Sequence, residues 1–112
     1  MLHNKDIAII SPVTLINIGL KQILTDYFSA GNITVYTDTE YFLSESPEKY
    51  DLYFTFPDTF LLHYDFFLPR KGKTILLTDC SYPQTDFSNI EYQLCIRSEQ
   101  NSFIEQLQNL IE

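Results

Sequence analysis

The chain has 112 residues, 45% of them hydrophobic, and its fifteen acidic and seven basic side chains give a formal charge of -8. That length suits one domain, residues 1–112, which buries roughly two thirds of its unfolded surface. The charge repels a phosphate backbone and excludes direct nucleic-acid binding. No apolar run reaches the about 18 residues of a membrane span, and Met1-Leu2-His3-Asn4-Lys5 carries no leader pattern. A cytoplasmic protein is expected.

Asp6 to Ile10 reads as a short apolar strand. Ser11 follows as a helix N-cap, with Pro12 at the first helical position, where its missing N–H costs nothing. Ile16, Leu20, Ile23, Leu24 and Tyr27 recur at helical spacing, and Gly31-Asn32 ends that helix. Ile33 to Tyr36 is a second strand. Thr37-Asp38-Thr39-Glu40 has the spacing of a capping box and opens a short helix through Leu43, closed before Pro47. The run Asp51 to Phe56 is almost wholly apolar, as a central parallel strand covered on both faces must be.

Pro57-Asp58 opens a helix-like segment, TFLLHYDFFLP, that holds more apolar side chains than one helical stripe can hide. The surplus is either exposed contact surface or bulk that covers the sheet where short helices leave it open. Arg70-Lys71-Lys73 around Gly72 is a solvated turn with no function assigned. Thr74 to Thr78 is the fourth strand and Tyr92 to Ile96 the fifth, separated by CSYPQTDFSNIE, which is turn-rich and barely helical. Ser98 caps a last helix striped by Phe103, Ile104, Leu107, Leu110 and Ile111, with Glu99 in its first turn.

Strands alternating with helices predict a parallel sheet with right-handed crossovers. The expected fold is a three-layer α/β/α sandwich with a five-stranded sheet in the flavodoxin-like order 2-1-3-4-5 and shortened third and fourth helices. Its ligand crevice lies at the carboxyl ends of the first and third strands. Ser11, Pro12, Thr55, Phe56, Asp58, Thr78, Asp79 and Arg97 are placed around it.

Gly19-Leu20 within VTLINIGLKQIL, the block NITVYTDTEYFLSESPEKYDLYFTF, the strand KTILLT and the helix SFIEQLQNLIE together resemble a response-regulator receiver, specifically that of LuxR-type transcriptional regulators. Aligning on Gly19 puts Ser11 and Pro12 where that family carries paired magnesium-binding acids. Aligning on Asp51-Leu52 puts Phe56 at its phosphoacceptor aspartate. Thr78 falls at the family's switch hydroxyl, and Arg97 at or one residue beyond its lysine. Leu94, not the nearby Tyr92, falls at the switch aromatic, so that role is not carried over. The bland roles are a strand-end hydroxyl for Thr78 and an ion pair with Asp79 or Asp58 for Arg97. Phosphoryl transfer needs a hard cation held by oxygen ligands, and neither phenylalanine nor proline supplies one.

The resemblance therefore implies a degenerate pseudo-receiver without cofactor, metal or enzymatic activity. It would form the N-terminal part of a LuxR-type regulator, with any basic DNA-binding region beyond Glu112. Its partners would be a second copy in a weak homodimer or another regulatory protein. Val13, Leu15 and Ile18 lie off the main stripe of the first helix and, with Phe103 and Leu107 of the last, are the expected interface. The alternative is a small-ligand sensor that uses the acid-free crevice.

Other chemistry finds little support. His3 and His63 accompany no recognisable nucleophile motif, and three glycines leave no phosphate-cradling loop. Asp58 and Asp79 as a relocated cation site compete with ordinary capping and turn roles. Cys80 and Cys95 are too few and too far apart for zinc and are expected reduced, Cys95 in the core and Cys80 exposed to weak reactivity at a strand end.

Overall fold

The computed structural model describes residues 2–78 and 92–111. Its strands form one all-parallel five-stranded sheet in the order β2-β1-β3-β4-β5, an α/β flavodoxin-like arrangement. The chain divides into two compact units, residues 1–55 and 56–112.

In the first unit β1 (Asp6–Ile10) is the centre. It pairs in parallel with β2 (Asn32–Tyr36) on one side and β3 (Leu52–Thr55) on the other. Residues Ile7 through Ile10 are all buried, which is why this strand reads as a continuous apolar run without alternation.

Helix α1 spans Thr14–Phe28. Its buried positions are Asn17, Leu20, Leu24 and Phe28, a stripe rotated from the expected one: Tyr27 is exposed and Phe28 is core. The polar Asn17 hides this register from a hydrophobicity reading. Leu20 and Leu24 each contribute about 1.5–3 kcal/mol by leaving water. Two cap expectations are corrected here. Ser11 and Pro12 precede the helix as a turn, because the Ser11 hydroxyl accepts the Val13 N–H at 3.1 Å and Val13 occupies the cap position. The helix ends at left-handed Ser29 (φ 58), not at Gly31, and Ala30 N–H reaches back to the Leu24 carbonyl at 3.1 Å. Helix α2 (Thr39–Ser44) is capped by Asp38, whose carboxylate accepts the Glu40 N–H at 3.0 Å; a 3-10 turn at Pro47–Lys49 then leads to β3.

In the second unit the aromatic segment breaks into α3 (Pro57–Leu62) and α4 (Tyr64–Phe67), joined at His63, whose φ -121 and ψ 46 are not helical. The surplus of apolar side chains divides accordingly: Phe60 and Phe67 are buried, while Leu61, Leu62 and Tyr64 are exposed. The basic cluster forms a 3-10 segment, Leu68–Lys73, in which Arg70 lies 4.1 Å over the Phe66 ring and donates to the Phe66 carbonyl at 2.7 Å. β4 (Thr74–Thr78) is buried throughout and pairs in parallel with β5 (Gln93–Cys95). α5 (Gln100–Ile111) follows, with the Glu99 carbonyl accepting the Phe103 N–H. Ser98 therefore stands one residue before the cap position, and its hydroxyl accepts from Gln106. Among the described residues no helix is long and apolar enough to cross a membrane.

Candidate functional site

The strand ends of the first unit are occupied by their own hydrogen bonding. Ser11 is buried; its N–H donates to the Tyr36 carbonyl at 3.0 Å and its carbonyl accepts from the Asn17 amide at 2.8 Å. With the hydroxyl already turned to Val13, this serine works as a joint between β1, β2 and α1. Thr55 is equally buried, and its hydroxyl donates to the Ile10 carbonyl at 3.0 Å, tying the end of β3 to β1. Pro12 brings no donor. Sequence reasoning missed Asn17, whose Oδ1 is buried without a hydrogen-bond partner. An asparagine at a core position of a helical stripe is the signal that marks it.

The remaining candidates lie in the second unit. Phe56 is half-buried at the cap position of α3, where its carbonyl accepts the Phe60 N–H at 3.0 Å. The Thr78 hydroxyl donates to the Leu94 carbonyl at 3.3 Å, across the β4–β5 pair. Arg97 is exposed, and no ion pair joins it to Asp58 among the described residues. Asp79 and Cys80 lie outside the described residues. Cys95, expected as a reduced core thiol, is in a disulfide. Among the described residues no group of histidine, cysteine and acidic side chains has a metal-binding arrangement.

The expected interface divides by burial. Leu15 and Ile18 are 82% and 62% exposed on α1, beside Val13 at 42%. Phe103 and Leu107 are core residues of the second unit, 8% and 0% exposed, and offer no surface to a partner. An amphipathic helix turns its strongest apolar positions inward, so the last-helix half of that interface is corrected.

A second feature of the first unit went unread in the sequence. Tyr36, Phe42, Tyr50 and Tyr53 pack edge to face around the end of β2 and the start of β3. The Tyr36 and Tyr50 hydroxyls hydrogen-bond to each other, and the Tyr53 hydroxyl donates to the Pro47 carbonyl at 2.6 Å. Burial, reinforced by the bond to Tyr50 and by the Glu45 carboxylate, pushes the Tyr36 phenol well above its ordinary range. Beside this cluster a recess of about 470 Å³ opens along β2 and α2. Tyrosines at the end of one strand and just before another were the only sequence trace of it.

Comparison with known proteins finds no matching family model, no matching curated protein and no matching solved structure.

Proposed function

We propose that this chain is a non-phosphorylatable pseudo-receiver that acts as a protein-interaction or dimerisation module in bacterial signal transduction or transcriptional control. What supports the reading is the 2-1-3-4-5 parallel sheet whose β1 runs into Ser11 and Pro12 and whose β3 runs into Phe56. An open parallel sheet of this order places ligand chemistry at the carboxyl ends of its strands. Here those positions supply a buried, internally bonded hydroxyl, a ring without a donor and a phenyl group. None is a carboxylate that could hold magnesium or form an acyl phosphate, and the one hydroxyl is buried and already bonded. An interaction role uses instead the exposed apolar side chains of α1, Leu15 and Ile18, with Val13 beside them, and a second copy is the occupant that a two-fold pairing of this patch provides.

The experiment is incubation with acetyl phosphate and Mg²⁺ followed by intact-mass measurement, paired with sedimentation at low and high salt. The expected result is no mass gain, and association that strengthens with salt as the repulsion between two chains of charge -8 is screened. One phosphoryl group gained on any aspartate overturns the pseudo-receiver reading. A monomer at high protein and high salt removes the dimer, and a dimer untouched by Leu15→Glu moves its interface off α1.

A further inference from the structure

β2 is the last strand of the sheet on its side, and among the described residues nothing pairs with its outer row of main-chain donors and acceptors. The Tyr36 carbonyl accepts from Ser11, the residue that follows β1, so Tyr36 turns its main-chain groups inward. Peptide groups alternate direction along a strand. Thr34 and Asn32 therefore also face β1, leaving the N–H and C=O of Ile33 and Val35 pointing away from the sheet. No strand or side chain among the described residues pairs with them.

Edge strands are ordinarily blunted by a lysine, a proline, a bulge or a covering element. β2 has the sequence NITVY, with two β-branched aliphatics and a threonine, and residues 27–37 carry no charge at all. Each residue of β2 pairs in step with one of β1, from Asp6↔Asn32 to Ile10↔Tyr36, so no bulge bends it away. The recess adjoins this edge: Thr34 and Val35 form one wall, and Tyr41, Glu45 and Lys49 come from across α2 and the turn after it, with Asp38 at the end. The lining holds two carboxylates and one ammonium, and Lys49 Nζ sits 5.2 Å over the Tyr50 ring. The local balance is acidic, like that of the whole chain.

We propose that the β2 edge and its recess form a docking groove for an extended basic segment of a partner protein, which adds as a further strand. Main-chain bonds to Ile33 and Val35 hold the segment, and alternate side chains turn toward the recess, where a lysine or arginine meets Glu45 and Asp38. Local charge selects this occupant: the uncharged β2 of a second copy would leave Glu45 and Asp38 without a counter-charge, whereas a basic strand neutralises them. The groove is separate from the exposed face of α1 and does not rest on the pseudo-receiver reading.

The probe is a fluorescein-labelled peptide of about ten residues of alternating lysine and valine, long enough to span an edge strand. It is compared with a version in which prolines replace the valines, which keeps the charge but cannot form a strand. Fluorescence anisotropy at low salt should give saturable binding of the lysine-valine peptide and at least about tenfold weaker binding of the proline version. On the protein, Val35→Pro removes an outward N–H without touching the ladder to β1, and Glu45→Lys reverses an exposed charge in the recess. Each should weaken binding about tenfold, with circular dichroism confirming the fold. Glu45→Lys, on the surface, tests the groove even if Val35→Pro unfolds the chain. Equal binding of both peptides, or no effect of Glu45→Lys, overturns the proposal. So does a dimer of the natural chain that Val35→Pro converts to monomer, because the edge then pairs with itself.

Discussion

Tyr36, Tyr50 and Tyr53 bury their rings in the first unit and spend their hydroxyls on one another and on a backbone carbonyl. Phe60, Phe66 and Phe67 in the second unit bring only hydrocarbon, with Phe60 and Phe67 stacked at 5.8 Å and the Arg70 guanidinium laid over Phe66. Both clusters remove large aromatic surfaces from water. They differ in what they ask of their surroundings. The tyrosine cluster is directional, because each buried hydroxyl must find its partner or lose the energy of desolvating it. The phenylalanine rings pack by shape without hydroxyls to satisfy, with Arg70 laid over one of them, which suits a segment broken into two short helices. The lesson is that a polar aromatic core carries a dependence on pH that an apolar one lacks.

Removing a ring probes what the clusters share. Phe42→Ala and Phe67→Ala delete side chains that are both 0% exposed, and each should destabilise by about 3–5 kcal/mol in urea denaturation. A cost under about 1 kcal/mol at either site would show that the ring there is not core. Alkaline pH separates them. The Tyr36 phenol is raised in the fold, so the unfolded chain releases that proton first, near the ordinary tyrosine value of about 10. Its stabilisation is complete below that pH and is lost as the pH climbs toward the raised folded value. Urea midpoints should fall between about pH 9 and pH 11, and Tyr36→Phe should flatten the fall. An unchanged slope in that variant would move the effect to other tyrosines.

At neutral pH the same Tyr36→Phe substitution removes the hydroxyl pair with Tyr50 and should cost about 1 kcal/mol, read as a lowered melting temperature. The smallest effect belongs to Arg70→Met, which keeps a long side chain over Phe66 but loses the charge and the bond to its carbonyl. A loss of about 0.5–1 kcal/mol is expected. That loss should be the same at pH 9 and pH 11, because the guanidinium stays protonated. A pH-dependent loss would couple the two clusters and end the contrast between them.

Much of the fold was legible because its signals are local. β1 and β4 read as continuous apolar runs, and both match the observed strands end to end. Alternation and handedness pointed to a parallel sheet, and the flavodoxin-like order, taken as one of the common doubly wound arrangements, is the order observed. Caps were less legible. Ser11-Pro12 has the composition of a helix start, yet the hydroxyl found Val13 first. The turn after α1 went to Ser29 although a glycine stood two residues away, since a left-handed residue is needed where the helix actually stops. At the strand ends the sequence displayed only Ser11, Pro12 and Phe56; that Ser11 is buried and internally bonded and Phe56 half-buried was decided by the tertiary structure.

By itself, then, the sequence determined which segments become strands and helices, because burial on both faces demands unbroken apolar runs and an amphipathic helix repeats its pattern within a few residues. Tertiary structure alone decided which side of α1 faces inward, with Asn17 holding a core position and Leu15 left in water. It also decided that tyrosines 36 and 50 meet, and that β2 ends the sheet with no partner on its outer edge among the described residues. These depend on contacts between residues distant in the chain, and no local period records a partner that only folding brings near.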